Sequence, residues 1–368
     1  MNDIAHSGSG VYLAIECGNK DWKLAFGDGS QRREVTIPAR NELRLKREIE
    51  RAKERFGKPA DAPVYSCYEA GRDGFWIHRL LKKLGVENVV VDPASIEVKR
   101  RGKRVKTDRL DARKLLAMLI RYWVYGERKT WSVVRVPEEE QEAARRPHRE
   151  RERLVKERTG HRCRIRSLLA LHGIVVKRIP ASGNELKDWQ GEALPGTLVE
   201  ELNRELERLR LVDAQLKKLA QDQKSQPQTC PSRGVEQARK LGKVKGVGAQ
   251  TGWELAHEFF WRDFKNRRQV GAASGLVGCP YDSGDSRTEQ GISKAGNARV
   301  RVMMTELAWR WLRFQPGSAL SRWYMERFGH GSGRMRRIGI VALARKLLVA
   351  LWKYLESDLA PEGATVRA

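Results

Sequence analysis

A chain of 368 residues, 40% hydrophobic, is long enough for two or three domains that each bury a core. Its 72 Lys and Arg against 46 Asp and Glu leave a formal charge of +26, which favours a polyanionic partner over an acidic or neutral one. No run of about 18 apolar residues is present to cross a membrane. The start MNDIAHSGSG lacks the basic and apolar regions of a signal peptide, and five scattered cysteines form neither a CxxC nor a zinc pair. A reducing, cytoplasmic setting is the expectation.

In chain order, VYLAIECGNKDWKLAFGDG predicts a β-hairpin turning at GNKD, with Val11, Leu13 and Ile15 alternating with Tyr12, Ala14 and Glu16. REVTIPA predicts a third strand and ELRLKREIERAKERFG an amphipathic helix ended by Gly57. PVYSCYEAG predicts a strand closing on Glu69, GFWIHRLLKKLG a helix, and VENVVVDPASI a buried strand stopped by Pro93. A helix over KTDRLDARKLLAML follows. This order predicts an α/β domain with a mixed sheet.

From about 138 the chain becomes dense in charge, with Leu154, Ile165, Leu168 and Leu169 as a thin apolar stripe. A second helix carries Leu198, Leu202, Leu206, Leu209, Val212, Leu216 and Leu219, whose gaps of three and four predict a coiled-coil seam. Two such helices joined by a Gly- and Pro-containing connector predict an antiparallel arm. After the polar linker at 221–234, LGKVKGVGAQTGWELAHEF predicts a helix-hairpin-helix. A Gly- and Ser-rich loop from Gly275 to about Val300 and two long helices complete the chain.

Four acids stand out. Asp108 and Asp111 are three apart on one helix face, in a basic stretch; Glu16 and Glu69 close apolar strands. Acids at strand ends are costly to desolvate without a cation, and two strand acids with an i, i+3 pair suit two divalent metals, as in ribonuclease H-type folds. All-oxygen donors favour Mg²⁺, with Mn²⁺ as a substitute. Asp108 taken alone is equally an N-terminal helix acid favoured by the macrodipole.

In PYDSGDSRTEQGISKAGNARVR, a serine beside glycine and followed by Lys294, Arg299 and Arg301 suits attack on a phosphodiester. Spacing does not choose among Ser274, Ser283, Ser286 and Ser293.

LAIECGNKDWKLAF, YEAG, KTDRLDARKLLAML, RERERLVKERTGHRCRIRSLLALHGI, GVGAQTGWELAHEF, RRQVGAASGLVGCPYDSGDSRTEQGISKAGNARVR and ALARKLL together resemble transposases of the insertion-sequence-110 type, relatives of the Piv invertases. The resemblance spans residues 11–350. It implies an α/β plus α protein: a ribonuclease H-like (RuvC-like) mixed-sheet domain over 1–135, a helical coiled-coil arm over 136–225, and a mainly α C-terminal transposase domain over 226–368. Glu16, Glu69, Asp108 and Asp111 take the places of a catalytic, metal-holding DEDD tetrad, and Ser283 that of a serine forming a covalent link to DNA. Lys103, Arg104, Lys106 and Arg109 beside the acids, and Lys294, Asn297, Arg299 and Arg301 after the serine, are expected to contact nucleic acid.

The implied activity is DNA strand cleavage and rejoining, guided by a structured bridge RNA that pairs with double-stranded donor and target DNA. A homodimer or homotetramer and a bacterial, nucleoid-associated location are further implications. One departure is Glu16, where the family usually has aspartate. Its extra methylene moves a bound metal by roughly one carbon–carbon bond unless the backbone adjusts. Activity is expected to survive, because the other three acids and the serine segment are intact. Two competing readings are a DEDD Holliday-junction nuclease using water and a non-catalytic nucleic-acid-binding protein.

Overall fold

β1 (Val11–Cys17) and β2 (Asp21–Gly27) pair antiparallel, and the turn between them is tight: a Cβ on Gly18 would meet the Asp21 carbonyl oxygen at 2.4 Å. The computed structural model describes residues 10–96, 108–225, 232–283 and 286–367, without the side chains of residues 108, 109, 224, 282, 283 and 286–289. The chain divides into two compact units, 1–137 and 138–368.

In the first unit β3 (Arg32–Pro38), α1 (Glu42–Arg55), β4 (Val64–Glu69), α2 (Trp76–Lys83) and β5 (Glu87–Val91) follow the hairpin. The five strands lie in the order β3-β2-β1-β4-β5. β1, β4 and β5 run parallel, linked by the crossovers that parallel pairs require, while β2 and β3 run antiparallel. On one face Val11, Leu13 and Ile15 pack with Leu45, Ile49 and Ala52 of α1 and Ile77 and Leu81 of α2. On the other, Tyr12, Ala14, Tyr65 and Cys67 pack with Ala112, Leu115, Leu116 and Leu119 of α3 (Asp108–Trp123). The alternation in β1 therefore separates two helical layers rather than core from solvent, and VYLAI is buried throughout.

The second unit begins with α4 (Glu139–Ala143), α5 (Arg146–Ala170) and α6 (Gly196–Lys224). The charged segment after 138 is two helices rather than one, because Pro147 fits the first turn of α5 and not a helix interior. α5 and α6 run antiparallel: Ile165 and Leu169 pack with Leu202 and Leu206, His161 meets Glu205, and Arg158 meets Asp213.

Next come α7 (Arg233–Lys243), α8 (Gly248–Leu255), a π-helical turn Ala256–Phe260, α9 (Arg267–Ser274), β6 (Gly278–Ser283), β7 (Ser286–Ile292), α10 (Ala298–Phe314), α11 (Ala319–Tyr324) and α12 (Gly333–Ser357). α7 and α8 form the expected hairpin of helices, packed so closely that a Cβ on Gly252 would lie 2.7 Å from Ala238 O. Met304, Leu307 and Trp311 of α10 pack with Leu343, Leu347 and Leu351 of α12 to centre the core. The serine segment expected as a loop is instead an antiparallel ribbon, β6–β7, with Ser283 paired to Ser286. Its Gly and Pro content masks the strands; Pro280 is tolerated because a two-stranded ribbon is all edge.

Candidate active site and nucleic-acid interface

Parallel pairing aligns Ile15 with Tyr68, so Glu16 and Glu69 follow side by side where β1 and β4 reach their carboxyl ends. Alternation along each strand assigns both to the face that carries Tyr12, Ala14, Tyr65 and Cys67, the α3 face.

α3 runs antiparallel to these strands. Trp123 stacks near Tyr65 at 4.7 Å between ring centroids, and Cys67 Sγ lies 3.9 Å from Leu115 O. From Leu115 back to Asp111 the helix rises about 6 Å, and from Cys67 on to Glu69 the strand advances by about the same. The N-terminal end of α3, which begins at Asp108, therefore lies toward the end of the sheet that carries Glu16 and Glu69. Ala112, Leu115 and Leu119 anchor that helix on the sheet.

The donor set suits a hard divalent cation. It is all carboxylate, and adjacent parallel strands spaced about 4.8 Å apart bring same-face carboxylates within reach of one ion. Cys17 packs on the opposite face, and burial first, then Asp73 and Glu16, push its thiol up to about 12. Among the described residues no three acid, His or Cys side chains already close into a metal-holding group; the Asp108 side chain lies outside them.

A feature missed from sequence adjoins these acids. Lys23 pairs with Glu16 across the hairpin and donates from Nζ to Thr36 Oγ1 at 3.0 Å. Lys23, Glu34, Thr36 and Ala112 line a cavity of about 400 Å³, and Glu34 is ion-paired with Arg113. Only β-sheet register brings Lys23 there, and no spacing in the sequence announces it.

Lys103, Arg104 and Lys106 lie outside the described residues, as does the side chain of Arg109. In the second unit Ser283 ends β6 and Ser286 begins β7. Ser274 is buried and its Oγ donates to Gly271 O at 2.8 Å, a structural bond that removes it as a nucleophile; Ser293 is exposed.

The block after the ribbon is held by close backbone approach. A Cβ on Gly275 would lie 2.0 Å from Ala295 O, and one on Gly296 would lie 2.3 Å from Ala273 O. Lys294 is exposed and sits at φ +55°, the left-handed region, with its carbonyl accepting from Arg301 Nη1 at 3.0 Å. Arg301 Nη1 also donates to Ser274 O, and Arg299 is ion-paired with Glu152 of α5. Asn297 caps α10, its Oδ1 accepting from the N–H groups of Arg299 and Val300, and its Nδ2 lies 3.3 Å from Glu258 Oε2. Among the described residues of this block Lys294 is exposed and in no ion pair, whereas Asn297, Arg299 and Arg301 each have protein partners.

Glu258, in the π-helical turn, is 3% exposed, and its signal in the sequence is an acid inside the apolar run WELAHEFFW. It accepts from His148 Nε2 at 2.7 Å and from Arg149 Nε at 2.6 Å. Burial alone would raise its pKa; hydrogen bonds and charge from His148 and Arg149 outweigh that and hold the carboxyl far below the usual range. Beside it Arg145 lies 4.3 Å from the Trp261 ring, with its pKa pushed down to about 10, chiefly by burial.

Residues 238–323 match the model described as "Transposase IS116/IS110/IS902 family", and residues 31–174 match a model of transposases with the DEDD domain of IS110 elements. "Putative transposase y4rJ" of Sinorhizobium fredii is 37% identical over 97% of this chain and 94% of its own length. "Putative transposase y4qE" of the same organism is 30% identical over 80% of this chain and 69% of its own. "Probable family 20 transposase" of Pseudomonas aeruginosa is 26% identical over 85% and 90%. No described helix is long and apolar enough to cross a membrane. With its five-stranded mixed sheet and a relative matched along nearly its full length, the chain belongs to the IS110 family of transposases, enzymes of DNA transposition.

Proposed function

We propose that this transposase recombines DNA through a serine–phosphodiester intermediate, with metal assistance and guidance by a structured RNA. The side-by-side placement of Glu16 and Glu69 at the carboxyl ends of β1 and β4, on the face that α3 covers, is the observation that supports it most. Three functional parts follow: a RuvC-like domain over 1–135, a coiled-coil arm over 136–225, and a C-terminal transposase domain over 226–368.

Glu16, Glu69, Asp108 and Asp111 would hold Mg²⁺, with Mn²⁺ as a substitute. The metal's contribution is neutralisation of charge on the scissile phosphate. Ser283 Oγ bonds to phosphorus as the bond to the leaving deoxyribose oxygen breaks, and that oxygen takes up the proton the serine gives up. Attack by the hydroxyl of the new strand reverses the chemistry, re-forming a phosphodiester and freeing the serine. Lys294 is available to offset charge on the reacting phosphate, while Arg299, Arg301 and Asn297 shape the segment that presents it. Lys103, Arg104, Lys106 and Arg109 bind the backbone of donor or target DNA, and the net charge of +26 supports a second polyanion, the guide RNA. A homodimer or homotetramer acting on the nucleoid completes the reading.

The test is incubation with element-end DNA, the RNA transcribed from the element's flank, and Mg²⁺, followed by a denaturing gel. A protein–DNA adduct lost in both Ser283→Ala and Asp108→Asn is expected. Cleavage without an adduct would assign the chemistry to a water-using nuclease instead.

A further inference from the structure

A cavity of about 410 Å³ opens on the α5–α6 helical pair, on the size scale of small-ligand pockets at about 300–1,000 Å³. Its floor is apolar: Leu206 and Leu209, both buried, with Ile179 and Pro180 from the connector. Its rim is cationic, with Arg162 and Arg166 from α5, Lys177 and Arg178 from the connector, and Arg210 from α6. Asp213, the acid in the lining, lies at long range from Arg162 and Arg158, at 3.9 and 3.8 Å.

Two of these cations also fix the rim. Arg166 Nη2 reaches Lys177 O at 3.5 Å and Arg210 donates to Ala181 O, so the connector is tied to both helices. Arg162 Nε is buried and has no hydrogen-bond partner among the described residues, an unmet donor beside the cavity.

We propose that this cavity takes one unpaired nucleotide of RNA, its base on the Pro180–Leu209 floor and its phosphate among Arg162, Arg178 and Arg210. The inference rests on the guide-RNA reading above. An apolar floor under an arginine rim matches a base face with a phosphate beside it, because guanidinium groups bind phosphate as a fork and stack on bases. A paired duplex keeps its bases stacked inside and offers only phosphates and groove edges, so it leaves the floor empty. Structured RNAs expose such splayed bases in loops and bulges, and the guide-RNA reading supplies one.

The experiment is fluorescence anisotropy with the full chain, using the labelled flank transcript, a short single-stranded RNA and a DNA duplex, across a salt series. Arg162→Gln with Arg178→Gln is compared with Lys217→Gln and Lys218→Gln, which remove equal charge from exposed positions on α6. The pocket pair is expected to weaken transcript and single-strand binding roughly tenfold and to flatten the salt slope by about 0.7 per lost contact. The control pair and the duplex titration should show little change. Arg178→Gln alone, confirmed folded by thermal melting, gives the same direction if the double variant is unstable. A 4-thiouridine transcript should crosslink to residues 177–180. Equal losses in both pairs, or equal losses on duplex and single strand, overturn the pocket while leaving RNA guidance intact. A wild-type chain that binds the transcript no better than the duplex overturns the guide-RNA reading itself.

Discussion

His148 of α5 donates through Nε2 to the Glu258 carboxylate at 2.7 Å, joining residues 110 apart in sequence within the second unit. Arg149 adds two bonds to the same carboxylate, at 2.6 and 3.1 Å, and Asn297 Nδ2 a weaker one. The root of the helical pair, the π-helical turn and the start of α10 thus share one buried anion. Removing one partner of such a pair strands the other charges. Glu258→Gln should cost about 3 kcal/mol, the lower end of the range for a buried ion pair because Arg149 is 40% exposed. The denaturant midpoint reads this, and an unchanged midpoint would remove the network as a stabilising element.

Acid should loosen this unit in two stages. His257 stacks on Trp253, and burial first, then His148 and Arg145, lowers its pKa. A base lowered on folding stays neutral in the native state, so stability falls as pH drops below about 6.5, where the unfolded histidine gains its proton. Glu258 is lowered as well, and for a carboxylate the stabilisation is fully present above about pH 4.5 and is lost as pH falls below it. Thermal melting between pH 7.5 and about 2.5 should show both slopes in the wild type. The lower one should shrink in Glu258→Gln and the upper in His257→Gln.

At the acids, Asp111→Asn and Glu69→Gln should each lower strand cleavage at least about 100-fold, corresponding to roughly 3 kcal/mol of lost charge stabilisation. Melting temperature should hold, since Glu69 is exposed and Asp111 half-buried. Cleavage at wild-type rates in both variants would show that the acids are structural.

Chelation should abolish the reaction and Mg²⁺ restore it. Glu16→Asp, which returns the shorter side chain usual in the family, should change the ratio of Mg²⁺- to Mn²⁺-supported rates more than the melting temperature. Identical metal profiles would place Glu16 outside the metal site.

Gly296→Ala tests the clamp behind the ribbon. At φ +93° and with Ala273 O only 2.3 Å from a Cβ, the substitution should cost about 1–3 kcal/mol. Gly291→Ala, also at positive φ but with nothing within 4 Å among the described residues, should show only the backbone part of that loss. Equal midpoints for the two variants would mean the close approach contributes nothing.

Much of the first unit was legible in sequence because local chemistry dictates it. Apolar runs bounded by GNKD, Gly57, Gly85 and Pro93 mark the strands and helices, and Glu16, Glu69, Asp108 and Asp111 stand out as acids where acids are costly. The ribbon was hidden, since Gly278, Pro280 and Gly291 depress strand propensity and only pairing across it makes the strands. Which face the acids share followed from the Ile15–Tyr68 register and the antiparallel course of α3, both tertiary facts. Asn297 reads as a polar contact residue in a basic stretch, yet the fold uses it to cap α10 and to approach Glu258. Composition and spacing by themselves determined the elements, the charge and the kinds of donor available. Tertiary structure decided which donors meet and which cations already have partners, because register and helix packing join residues that sequence separation holds apart.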